Sequence, residues 1–295
     1  MRSVPSRLLL LMRPLRPVPR RVTNPWMRAP VIELYMDKST ISNAHGTGTP
    51  QPSEGAATPG TTGQLRIRCL MHVPFEGAGA IEDWARMRGH QFSVVRLSDR
   101  DPLPGPEDFD LLAVMGGPMS VHDEPEHPWL VEEKSLITRC LQQGIFVLGV
   151  CLGSQLLAEC LGSTVRSNAH REIGWFPVNI TAGAGSLLHG FPDELMVFHW
   201  HGETYDLPPA TAHRATSEGC QVQAFEHATA LGLQFHLEVK QNGVDQLLRH
   251  CGNEIGSGAF QQNPSAIRSG QKLHGEVAQR HLFKLLDAIG DRLTA

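Results

Sequence analysis

The sequence predicts an α/β fold with a doubly wound, mostly parallel sheet flanked by helices, and three observations predict it. From Leu65 to Val150, apolar strand-like runs alternate with helical ones, in the order strand, helix, strand, then strand, helix, strand that a right-handed doubly wound sheet requires. Two of the strand-like runs are almost unbroken in apolar residues, as parallel strands buried on both faces are. Those same two runs pass into the glycine-containing corners of "VMGGP" and "VLGVCLG", and in such a sheet the ligand site lies at the carboxyl ends of the strands.

Taken in order, residues 1–64 do not belong to this pattern. Between Met1 and Ile32 stand seven arginines, no Asp or Glu, and several prolines; from Thr40 to Gly63 Gly, Thr, Ser, Pro and Ala dominate. Neither composition builds a core, so a disordered extension is expected there, followed by one domain over 65–295. An Arg-rich, acid-poor start is compatible with an organellar address, but the prolines oppose the amphipathic helix such an address uses. A tail, or an over-long start with translation from Met36, is the plainer reading.

From Leu65, "LRIRCLMHV" reads as a strand, and "GAIEDWARMRGH" places Ile81, Trp84, Ala85 and Met87 at helical spacing before Gly89. "FSVVRL" and "FDLLAVMGG" are the next strands. "HPWLVEEKSLITRCLQQG" is a helix closed by Gly144, and "IFVLGV" follows as a strand. "SQLLAECLG" continues as a helix ending at Gly162, "ALGLQFHLEV" (Ala230 to Val239) is an apolar strand, and "GEVAQRHLFKLLDAIGDRL" is a terminal helix.

The totals bound the function. The chain has 295 residues, 41% hydrophobic and 19% charged, with a net charge of −4, enough for one catalytic-size domain. That charge gives no electrostatic reason to expect nucleic acid or an anionic membrane as partner, and no apolar run is long enough to span a bilayer. Six cysteines without a C-x-x-C pair or a secretory signal fit reduced thiols and a cytoplasmic location.

One cysteine stands apart. Gly149-Val150-Cys151-Leu152-Gly153 has the form of a nucleophile elbow, in which a strand turns sharply into a helix and lifts one side chain into a cleft. The helix start just beyond Cys151 favours thiolate over thiol. Alone, such a spacing more often marks a buried structural cysteine; partners change the reading. His236 supplies a base and Glu238, two residues on and on the same side of an extended segment, can orient it. Without Cys151 the pair would read as a surface His-x-Glu. Gly117 and Leu152 offer backbone N–H groups for an oxyanion, although Gly-Gly-Pro by itself is a turn.

In combination these residues resemble the class I (triad) glutamine amidotransferase family, over the chain from about Leu65 to its end. "VMGGPMSV" is similar to the family's oxyanion strand, "GVCLGSQLLAE" to its nucleophile elbow and "GLQFHLEV" to its His-x-Glu strand; "REIGWFPV" and "VFHWHGETYDLP" resemble stand-alone members similar to the amidotransferase domain of GMP synthase. The resemblance implies a flavodoxin-like fold and hydrolysis of the glutamine side-chain amide through a γ-glutamyl thioester on Cys151, releasing ammonia and glutamate without a cofactor. It also implies that Gln155 lines the glutamine pocket and that Gly202 and Glu203 meet the amino-acid end of the substrate. Glu203 reads equally well as a solvated loop charge.

The segment after "GLQFHLEV" leaves no room for a synthase domain and holds no phosphate-binding G-x-x-x-x-G-K-[ST] loop. Either a separate synthase subunit accepts the ammonia, or the chain is a free-standing hydrolase of γ-glutamyl amides or a γ-glutamyl peptidase acting on γ-glutamyl peptides or glutathione conjugates, as the plant members that look like γ-glutamyl peptidases suggest. A non-catalytic binding module on the same fold is the third reading. The deglycase-type cysteine families place a His directly after the cysteine, where this chain has Leu152. Among 15 histidines, His199-Trp200-His201 is the best metal candidate, but no third ligand stands at a convincing spacing, so no metal is expected.

Overall fold

The computed structural model describes Gly63–Ala295; the expected extension over 1–64 lies, up to residue 62, outside the described residues. Strands β1 (Arg66–Met71), β2 (Gln91–Arg96), β3 (Leu111–Val114), β4 (Phe146–Val150) and β9 (Ala230–Leu233) form a parallel half-sheet in the order β2-β1-β3-β4-β9. Four further strands extend it antiparallel from β9: β8 (Ala224–His227), β7 (Ala212–Thr216), β5 (Val165–Ile180) and β6 (Glu194–Tyr205). The parallel order reflects the βαβ units: a strand can pair parallel with its neighbour only after a crossover long enough to return to the same edge.

Side chains that alternate along each strand sort onto two faces. Ile67, Leu111, Ala113 and Leu148 pack against Ile81 and Trp84 of α1 (Ala80–Met87) and against Leu282, Leu285 and Leu286 of α5 (Pro264–Thr294). Leu70, Leu112, Val114 and Val147 face Leu136, Ile137 and Cys140 of α2 (Trp129–Gln143) and Leu156 and Leu157 of α3 (Leu152–Cys160). Both faces of the parallel half are thereby dry, which accounts for its unbroken apolar runs.

Two boundaries differ from the sequence expectation. Helix α5 starts at Pro264, well before Gly275, because Asn263 caps it by accepting from the Ala266 amide at 2.9 Å and Pro264 occupies its first turn. The interior glycines Gly270 and Gly275 mask this in the sequence; Gly270 is needed where Trp175 packs against the helix, since a β-carbon there would overlap the indole. Likewise β9 ends at Leu233, so His236 stands beyond the strand rather than at its end. The chain there leaves β8 and bridges instead to β6, His236 N–H donating to the Phe198 carbonyl at 2.8 Å. Among the described residues no helix is long and apolar enough to cross a membrane.

Candidate active site

The elbow forms because two glycines let three backbones meet. A β-carbon on Gly149 would stand 2.5 Å from the carbonyl oxygen of Gly153, and one on Gly153 would overlap the carbonyl of Val114 on the neighbouring strand. Between them Cys151 adopts φ 53° and ψ −110°, a region costly for a residue with a β-carbon, by about 1–3 kcal/mol. The turn is over-determined: Cys151 N–H donates to Leu233 at 2.8 Å, and the Cys151 carbonyl accepts from the Ser154 hydroxyl at 2.7 Å and the Ser154 and Gln155 amides at 3.0 and 3.1 Å. The sulfur is buried and lies 3.6 Å from the Trp200 carbonyl and 3.7 Å from Gln234 Nε2. Helix α3 begins at the next residue, so its free amide groups and positive end lie beside the sulfur.

His236 and Glu238 meet as their spacing predicts, Nδ1 to Oε1 at 2.7 Å, both buried. The Ala80 amide at the start of α1 donates to the Glu238 carbonyl at 2.9 Å and anchors the segment. Ring nitrogen Nε2 of His236 is buried with no hydrogen-bond partner among the described residues. Burial alone would lower this imidazole; the Glu238 carboxylate and Cys151 outweigh it and hold His236 well above its ordinary range. Gly116 brings the pair to the thiol: the position its β-carbon would take lies 3.4 Å from His236 Cε1 and 3.5 Å from Cys151 Cβ. A larger residue would wedge between them.

The Gly116–Gly117 peptide is held from behind. His72, just past β1, approaches the Gly116 carbonyl through Nδ1 at 2.9 Å and Glu133 of α2 through Nε2 at 3.0 and 3.2 Å. Both side chains are wholly buried. Burial opposes a charge on His72, but Glu133 and the Gly116 carbonyl prevail and raise it, so that both ring nitrogens can donate. In a trans peptide C=O and N–H point in opposite directions. Holding the Gly116 oxygen toward His72 therefore turns the Gly117 N–H away from it. That amide and the Leu152 amide donate to no other backbone group among the described residues, and Gly117 lies against the Leu152 side chain.

Of the expected pocket residues, Gln155 is buried and bonds Gln234 Oε1 at 3.2 Å and the Glu203 carbonyl at 3.4 Å. Glu203 belongs to β6 and accepts from Ser120 at 3.2 Å, which is not the environment of a solvated loop charge. Gly202 is half-buried, and a β-carbon there would stand 3.2 Å from Arg171 Nε. Gln234 lies within the "GLQFHLEV" motif, whose spacing assigns it no role, and two residues of the site, His72 and Glu76, lie outside the sequence motifs. Both lie on the β1–α1 connection, a carboxyl-end loop of the parallel half, and the rule that places sites there covers it.

The metal expectation needs one correction. A third ligand type does join His199 and His201: the β5–β6 register sets Glu172 opposite His201, and the three ligating atoms lie within 4.8 Å of one another, fully buried. These groups could hold zinc by type. Their contacts also have a protein-only account. The Glu172 carboxylate accepts from Ser217 at 2.6 Å and Gln223 at 2.7 Å and lies 3.0 Å from His201 Nε2. Despite burial, those partners and the histidines hold it down at about 2, while burial takes His199 down to about 4. The network braces the strand whose Trp200 carbonyl meets Cys151.

The fold and this constellation define a protein of the amidotransferase class, and comparison with known proteins agrees. The pattern of the family "Glutamine amidotransferase class-I" matches residues 79–251, and the chain belongs to that family. It is 32% identical to the glutamine amidotransferase-like protein YfeJ of Salmonella typhimurium over 76% of this chain and 97% of that protein. It is 36% identical to a glutamine-hydrolysing GMP synthase of Geobacillus kaustophilus, over 43% of this chain but only 24% of the synthase. Among solved structures, a glutamine amidotransferase from Thermotoga maritima superposes with a TM-score of 0.72 at 32% identity, covering 77% of this chain and 99% of that one. Another, from Methylobacillus flagellatus, gives 0.73 at 29% identity over 78% and 95%.

Proposed function

We propose that the chain hydrolyses the side-chain amide of glutamine, or a related γ-glutamyl amide, through Cys151, His236 and Glu238. The convergence of Cys151 and His236 on Gly116, with Glu238 2.7 Å behind the imidazole, is the observation that carries this reading. His236 Nε2 takes the thiol proton as the sulfur attacks the amide carbon, and the resulting imidazolium is stabilised by Glu238. The oxygen of the tetrahedral intermediate accepts from the Gly117 and Leu152 amides. His236 then returns its proton to the departing nitrogen, the C–N bond breaks, and a thioester remains on Cys151. Water, deprotonated by the same imidazole, releases glutamate. Gln155, tied to Gln234 and to β6, lines the acyl side of the site with Gly202 and Glu203.

A second reading, cleavage of γ-glutamyl peptides, is favoured by one observation: a solvent-open cleft with a cavity volume of about 210 Å³, lined by His236, Glu76 and Phe75 among others, has more room than ammonia requires. Alternatively a synthase subunit docks there to receive the ammonia. Incubating the purified chain with glutamine and with γ-glutamyl dipeptides, with ammonia, amine and glutamate measured, separates these readings. Cys151→Ala should abolish turnover of every substrate with the circular dichroism spectrum unchanged. Comparable residual activity in that variant would exclude Cys151 as nucleophile.

A further inference from the structure

The β1–α1 connection carries Glu76 to the same point over Gly116 where the thiol and imidazole meet. The place a Gly116 β-carbon would occupy is 2.5 Å from Glu76 Oε2, against 3.4 Å for His236 Cε1 and 3.5 Å for Cys151 Cβ. Among the described residues the Glu76 carboxylate has no ion-pair or side-chain hydrogen-bond partner; its electrostatic neighbours are His236, His72, Glu238 and Glu254. It lines a cleft together with His236, Phe75 and Gln246, whereas Gln155 does not line that cleft and bonds instead to Gln234 and Glu203. Phe75 is stacked on His250 at 4.5 Å, which gives this wall a fixed shape.

The stereochemistry of amide cleavage says what belongs in that cleft. The two substituents of the tetrahedral carbon diverge, and the leaving nitrogen must lie beside the group that protonates it. If the acyl chain runs toward Gln155, the leaving nitrogen and whatever it bears lie on the His236 side, over Gly116 and against Glu76. We infer that Glu76 is the leaving-group subsite of this enzyme, a carboxylate that accepts hydrogen bonds from the departing amine and favours amines that leave as ammonium ions. The inference rests on the hydrolytic reading above. In the step concerned, the C–N bond breaks with its electron pair passing to nitrogen, which takes the His236 Nε2 proton; the carbonyl re-forms as the Cys151 thioester. The freed amine then takes a further proton from water and becomes the cation that Glu76 holds.

Leaving-group basicity provides the test. γ-Glutamylmethylamide releases a strongly basic amine, whereas γ-glutamyl-p-nitroanilide releases an aniline that stays neutral. Assayed at pH 8, where the Glu76 carboxyl is ionised, Glu76→Gln, nearly isosteric, should lower kcat/KM for the methylamide and for glutamine by about tenfold or more, the size of a lost charge-assisted hydrogen bond, and change anilide turnover by less than about twofold. Methylammonium should inhibit anilide hydrolysis by the wild-type protein and do so about tenfold more weakly in the variant. Equal losses on all three substrates, or no loss on any, overturn the subsite; equal losses would make Glu76 a tuner of His236. A wild-type protein inert to all three while Cys151 alkylates normally overturns the hydrolytic reading itself, and the subsite with it.

Discussion

Replacing His72 and Glu133 together by leucine isolates what the buried pair behind Gly116 does. Removing one partner alone would strand the other as a buried charge and cost about 3–5 kcal/mol, whereas replacing both by apolar residues of similar volume is often neutral for stability. The double variant should therefore fold, while the Gly116 carbonyl loses its 2.9 Å contact with His72. That contact orients the peptide whose N–H belongs to Gly117, so the loss falls on one of the two proposed oxyanion donors. Losing the contact is worth about 1.5 kcal/mol at least, or roughly tenfold in kcat. Complete misdirection of the donor sets the upper bound, about 10²–10³-fold. Because an oxyanion exists only after attack, KM should hardly move. Steady-state ammonia release from glutamine, with thermal denaturation as the check on folding, measures both parameters. An unchanged kcat in a folded double variant, or a loss confined to KM, refutes the positioning role.

The same geometry sets three other expectations. Cys151→Gly should be more stable than Cys151→Ala by about 1 kcal/mol, because φ 53° and ψ −110° suit glycine and strain alanine; equal melting temperatures would mean the elbow stores no strain. Burial raises the Glu76 carboxyl to about 7 from its ordinary 4.5. The folded chain then holds a proton between those pH values that the unfolded chain has released, so this group's contribution to stability falls as pH rises through that window. Glu76→Gln, always neutral, should gain melting temperature relative to the wild type from pH 4.5 to pH 7 and keep that gain above it; a gain independent of pH would contradict the raised carboxyl. Glu238→Gln should slow turnover less than Cys151→Ala, since the imidazole survives but loses its orienting charge; equal loss would give Glu238 a larger part than orientation.

The parallel half of the sheet was legible because it is locally written. Each strand from β1 to β4 is a short apolar run, each helix between them carries its own period, and the elbow is a five-residue pattern whose glycines are demanded by contacts close in sequence or on the adjacent strand. Gly149 and Gly153 illustrate this: the clash each avoids involves the turn itself or β3. The His236–Glu238 contact was legible for the same reason, since two residues on an extended segment share a side. Strands β5, β7 and β8 of the antiparallel extension were not predicted, and the start of α5 was hidden by Gly270, which serves the packing of Trp175, and by Gly275.

The amino-acid order by itself determined the α/β pattern, the corner at Cys151 and the pairing of His236 with Glu238, all consequences of period, spacing and turn chemistry over a few residues. Only the tertiary structure decided which distant groups share one volume. It brought Glu76 and His72 to Gly116, set Glu172 among His199 and His201, and carried His236 past the end of β9 to bridge β6. Those meetings join residues separated by tens of positions in the chain, and chain packing, not local preference, sets their geometry.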